Sequence, residues 1–97
     1  MNHAILLLSP EAEQDIDQAV EYYNSVSQGL GLEFIHVIDQ YFAQIMQVPT
    51  ASAVQYDQVR VKPVKVFPFT IHYSITDAQI IVLRVFNTHQ QSTSDSR

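Results

Sequence analysis

The chain reads as an α+β domain of order β-α-α-β-β-β, an antiparallel sheet with an N-terminal helical hairpin packed on one face. Three observations carry this reading. Two successive segments before residue 50 repeat their apolar residues at helical spacing. Both glycines of the chain, Gly29 and Gly31, fall between them. From Val59 onward the apolar period changes to two.

Each element follows from local chemistry. Residues 4–8, AILLL, form a short apolar run that reads as a buried strand. Ser9-Pro10 then starts a helix, because serine caps and proline fits the first helical position. Glu11, Glu13 and Asp15 crowd the first turns, where the helix dipole favours negative charge. Ala12, Ile16, Ala19, Val20, Tyr23 and Val26 mark the apolar face of a helix over about residues 10–27. Gly29 and Gly31 suit a left-handed cap and a tight turn. A second helical pattern runs through Leu30, Phe34, Val37, Ile38, Tyr41, Phe42, Ile45 and Met46, and stops at Val48-Pro49. So short a link predicts an antiparallel helical hairpin. Residues 50–57 read as a loop.

Val59 and Val61 then alternate with Arg60 and Lys62. The apolar parity flips at Pro63 to Val64 and Val66, which predicts a bulge or a strand edge. Phe69, Ile71, Tyr73 and Ile75 alternate with Thr70, His72, Ser74 and Thr76, a strand with one core face and one polar face. A turn at residues 76–79 leads into Ile80 to Phe86, apolar on both parities except Arg84, and therefore a central strand. The domain is expected to span residues 1–90, with 91–97 as a flexible polar tail. The sheet face away from the helices is expected to carry Arg60 and Lys62, and Arg84 if its parity allows.

Composition narrows the function classes. At 97 residues and 46% hydrophobic, the chain suits one globular core. It has no cysteine, which excludes disulfides and thiolate metal sites. No segment reads as a signal peptide or approaches the ~20 apolar residues of a membrane span, so a cytoplasmic protein is expected. The net charge of −5 is unevenly spread. Residues 1–59 hold eight carboxylates and no Lys or Arg, while residues 60–97 hold all five Lys and Arg against two carboxylates. An anion-binding surface must therefore come from the second part.

Arg60, Lys62, Lys65 and Arg84 are the candidate anion or partner surface, with the residue types that neutralise phosphate or transition-state charge. Arg60 and Lys62 fit equally well as cations that keep a strand edge from pairing. Arg84, inside IIVLRVF, must find a partner or the rim, because an unpaired buried cation is costly. His3, His36, His72 and His89 show no metal-ligand spacing, and no metal or cofactor is expected. His72 reads as an exposed strand residue. His89 is a weak acid–base candidate, and otherwise a solvated histidine. Asp15 and Asp17, two apart on a helix, do not face each other and form no hydrolytic pair. Tyr22 and Tyr23 read as rim and core packing.

SPEAEQDIDQAVEYY, GLGLEFIHVIDQYFAQIMQVP, VRVKPVKVFPFTIHYSI and IIVLRVFNTHQQ, in this order, resemble the RelE/ParE toxin superfamily, nearer its ParE branch, over about residues 4–92. The resemblance implies this same fold, a cognate antitoxin as partner, and a place in a type II toxin–antitoxin or plasmid-stabilisation system. ParE-like members poison DNA gyrase by binding. RelE-like members cut mRNA on the ribosome with basic residues and a His or Tyr near the C-terminus. Arg60 and Lys65 match the family's basic positions around the FPF strand, and Phe69 stands where tyrosine is frequent. Asn87 and Gln90 replace the usual histidine and arginine, and His89 is displaced by two. Asn87 cannot exchange a proton near neutral pH and Gln90 carries no charge for a phosphate. The resemblance with these departures implies a binding toxin before an enzyme. The alternatives are a RelE-like ribonuclease using Arg60, Lys62, Lys65, Arg84 and His89, and a non-toxic relative that keeps only antitoxin binding. A homodimer is compatible with the sequence, and no membrane partner is expected.

Overall fold

The computed structural model describes residues 5–89. Helices α1 (Pro10–Val26) and α2 (Leu30–Gln47) form the hairpin. They lie against one face of a five-stranded sheet made of β1 (Ile5–Leu8), β2 (Val54–Tyr56), β3 (Val59–Val64), β4 (Phe69–Thr76) and β5 (Gln79–Asn87). The strand order is β1-β5-β4-β3-β2. The α+β architecture and the helical hairpin are as the sequence predicts. The expected tail at 91–97 lies outside the described residues, as do His3 and Gln90.

Helix α1 starts as Ser9-Pro10 dictates. The Ala12 amide donates to Ser9 Oγ at 3.0 Å, and that hydroxyl donates to the Leu83 carbonyl at 2.8 Å. One serine therefore caps the helix and ties its start to β5. At the hairpin turn Gly29 takes a left-handed φ of 87°, open to glycine without strain. The Gly31 amide donates to Asn24 Oδ1 at 2.9 Å, a cap supplied from α1. Tyr23, Phe34, Phe67 and Phe69 pack their rings together between hairpin and sheet. Ile38, Ile71, Tyr73, Ile80, Val82 and Val85 are the most deeply buried of the other core side chains of their size. Each such side chain contributes about 1.5–3 kcal/mol by leaving water. Tyr73 is buried with its hydroxyl donating to the Pro49 carbonyl at 2.7 Å, which satisfies its polar end.

Three details differ from the sequence reading. Residues 54–56, expected in a loop, form the edge strand β2. Asp57 and Gln58 both take positive φ, 45° and 65°, and so make the tight hairpin turn that joins β2 to β3. Neither is glycine, so the turn left no sequence mark. Second, the antiparallel pairing holds for β2 to β5, but β1 joins β5 in parallel, and the sheet is mixed. Third, of the two expectations at Pro63 the strand edge holds and the bulge does not: β3 pairs with β4 without interruption there. Pro63 lies beyond the part of β3 that β2 covers, an edge position that tolerates a missing N–H. The irregularity falls in β5 instead. His72 opposes Arg84 and Tyr73 opposes Val82, leaving Leu83 as the extra residue of a bulge. That bulge explains why β5 is apolar on both parities: Ile80 and Val82 face the core before it, Val85 after it.

Candidate functional site

Strand β1 stops at Leu8, opposite Val82, so the outer edge of β5 beyond that point has no strand partner. The first turns of α1 take its place. Ser9 N–H donates to the Val82 carbonyl at 2.9 Å and Ser9 Oγ to the Leu83 carbonyl. Asp15 Oδ2 accepts the Val85 amide at 2.9 Å. The same carboxylate holds Arg84, which donates from Nε to Oδ2 at 2.8 Å and from Nη2 to Oδ1 at 2.9 Å. This fork-to-fork geometry is the strong form of an ion pair. The bonds to Asp15 raise the arginine's already high proton affinity. Arg84 has thus found the partner its apolar strand demanded. Its side chain keeps 41% exposure, against 13% for Asp15.

Opposite Arg84 on β4 lies His72, and both lie on the sheet face away from the helices. The reading of His72 as exposed is corrected: only 4% of it is accessible. Tyr56 from β2 reaches across β3, and its hydroxyl lies 2.9 Å from His72 Nδ1. Thr70 Oγ1 lies 2.8 Å from Nε2. The Phe86 ring stands edge-on to the imidazole at 4.8 Å, and the Arg84 guanidinium lies over that ring at 4.4 Å. Burial lowers the His72 pKa below its ordinary value and the Arg84 charge lowers it further, while Asp15 offsets part of this. At neutral pH the imidazole is uncharged, donating from one nitrogen and accepting at the other. The open face therefore carries a connected array, Asp15–Arg84–Phe86–His72, closed by Tyr56 and Thr70.

The other candidate cations do not join it. Arg60 opposes Tyr73 and Lys62 opposes Ile71, which puts both on the helix-side parity rather than the open face. Arg60 donates from Nη1 to the Ser52 carbonyl at 2.7 Å and to the Thr50 carbonyl at 3.5 Å, holding the short helical turn Pro49–Ala51 against β3. Lys62 lies over the Tyr41 ring of α2 at 5.7 Å. The Lys65 amide donates to the Tyr41 hydroxyl at 3.1 Å, so this lysine belongs to the β3–β4 turn beside α2. Past β5, Asn87 Oδ1 accepts the His89 amide at 2.9 Å, and Thr88 bonds the Pro68 carbonyl through both its amide and its hydroxyl. Among the described residues no group of three His, Cys, Asp or Glu could hold a metal ion.

Sequence reasoning missed Asp15, Tyr56 and His72 as partners. For Asp15 a signal existed. It lies three residues after Ala12 and four before Ala19, so it borders the buried stripe of α1. A carboxylate there and a lone arginine in an apolar strand call for each other.

A family model described as "ParE toxin of type II toxin-antitoxin system, parDE" matches residues 6–92. A solved structure described as "Chromosomal ParDE TA system from P. aeruginosa" superposes with a TM-score of 0.77 at 19% identity, covering 88% of this chain and 96% of that one. At that identity it establishes the shared fold. No curated protein matches the chain.

Proposed function

Because the chain belongs to the ParE toxin family of type II toxin–antitoxin systems, we propose that it acts by binding a protein target such as DNA gyrase and is neutralised by a cognate antitoxin. The observation that supports this best is the state of Arg84. Its guanidinium is committed to Asp15 and to the Phe86 ring, Arg60 and Lys62 stand on the opposite side of the sheet, and Lys65 lies in the β3–β4 turn. Phosphoryl chemistry needs cations converging on one phosphate. A protein-binding toxin needs aromatic and arginine side chains held in place, which the open face supplies. The basic rim of Lys62 and Lys65 beside Tyr41 is the complementary place for an acidic antitoxin segment.

The test is induced expression in cells that lack the neighbouring antitoxin gene. Growth arrest, relieved when the antitoxin is supplied, is expected. Unimpaired growth at confirmed expression would retire the toxin reading and leave a non-toxic relative.

A further inference from the structure

We infer that the open face of the sheet is the docking surface for the toxin's protein target, and that the target presents there an apolar strip bordered by Lys or Arg. The inference rests on the toxin reading above and names the surface through which it works.

The helices cover one face of the sheet, and the alternate residues look the other way. Leu7 and Ser74 both oppose Ile81, Val61 opposes His72, and Phe86 opposes Thr70, all on the open side. Leu7 is 43% exposed and Tyr56 47%, so apolar surface reaches water from one edge of the sheet to the other. The central polar groups of this face have partners within the chain: the two His72 nitrogens on Tyr56 and Thr70, and two N–H groups of Arg84 on Asp15. Covering the His72 ring strands neither of its nitrogens, and Arg84 is already charge-paired, so this part of the polar penalty of docking is small. Tyr56, Phe86 and Arg84 are held by ring contacts and hydrogen bonds before any partner arrives, which lowers the ordering cost of binding.

Charge selects the partner. Among the described strand residues the open face carries one cation, Arg84, and Asp15 matches it. The carboxylates around the face are not matched in this way. Glu11 adds its field beside Arg84. Asp57 and Asp77 occupy the β2–β3 and β4–β5 turns, at the same end of the sheet. A phosphate backbone would meet these carboxylates, whereas Lys or Arg beside an apolar strip would be drawn to them.

The test uses the full chain, expressed without the antitoxin gene, with photoreactive p-benzoylphenylalanine in place of Leu7, or of the exposed Gln40 on α2. Illumination from position 7 is expected to give a covalent adduct with one cellular protein, mapped to a peptide with apolar residues flanked by Lys or Arg. Position 40 is expected to give none of it. Gln79 lies on the open face near the turn carboxylates, opposite Ile5. Gln79→Lys should cut the adduct yield at least fivefold, while Gln79→Glu, with an equal melting temperature, should retain it. Adducts with nucleic acid, with a second copy of this chain, or in equal yield from position 40 overturn the inference. So does no adduct at all, or the reverse order of the two Gln79 variants. Growth separates the two readings: an adduct without growth arrest removes the toxin reading, and arrest without an adduct removes only this surface.

Discussion

The Asp15 carboxylate grips Arg84 through two hydrogen bonds and accepts the Val85 amide with the same Oδ2. One helical side chain thereby completes the edge of β5 where β1 has ended, and fixes the only arginine of the open face among the described residues.

Asp15→Ala removes three charge-assisted or backbone bonds at a mostly buried position, and should lower stability by about 2–3 kcal/mol. Arg84→Lys keeps the charge, but an ammonium cannot span both carboxylate oxygens, so a loss of about 1 kcal/mol is expected. Urea denaturation gives both values. Hydrogen exchange separates the roles: the Val85 amide should exchange faster in Asp15→Ala and unchanged in Arg84→Lys. Equal acceleration in both would show that Asp15 needs Arg84 to cap the strand.

His72 predicts a pH dependence. Its folded pKa is depressed, chiefly by burial, below the ordinary 6.5. As pH falls below about 6.5 the unfolded chain takes the proton first. Stability from this group is therefore complete above that value and is lost as pH drops toward the folded pKa, by at most about 1.4 kcal/mol per pH unit. Between pH 7.5 and 5.5, wild type should lose more stability than His72→Gln. Identical losses would place the histidine in water.

The order of elements was legible because period and punctuation agree: Ser9-Pro10, the two glycines, and the strict alternation of residues 69–76. What escaped was non-local. The turn at Asp57-Gln58 lacks a glycine, so β2 looked like loop. The bulge at Leu83 shifts the parity of β5, so Arg84 could not be oriented by counting. Periodicity also treated Arg60, Lys62 and Arg84 as one set of cations, although register across three strands sends them to opposite faces. The burial of His72 depends on Tyr56, sixteen residues away, and no local pattern links the two.

Arg60 should behave as a clamp. Arg60→Ala frees the Thr50 and Ser52 carbonyls, and amide exchange in residues 50–53 should rise with a stability loss of about 1 kcal/mol. Titration of the wild-type chain with inorganic phosphate, followed by NMR, should leave the Arg60 side-chain resonances in place. A saturable shift there would return Arg60 to an anion-binding role.

Gly31→Ala tests the hairpin. An added Cβ would come within 2.8 Å of the Asn24 amide group, which must leave its bond to the Gly31 amide. The helix-propensity gain of about 1 kcal/mol should therefore be cancelled by the lost cap. In the Asn24→Ala background, where no cap remains to lose, the same substitution should stabilise. Thermal unfolding of the four chains shows whether the sign changes.

Action by binding a protein and action by cutting RNA leave different products. Purified chain added to gyrase with relaxed plasmid, and in parallel to ribosomes programmed with mRNA, compares the two directly. Blocked supercoiling or trapped DNA breaks, reversed by the antitoxin, are expected, with the mRNA intact. Specific mRNA cleavage with gyrase untouched would contradict action by binding.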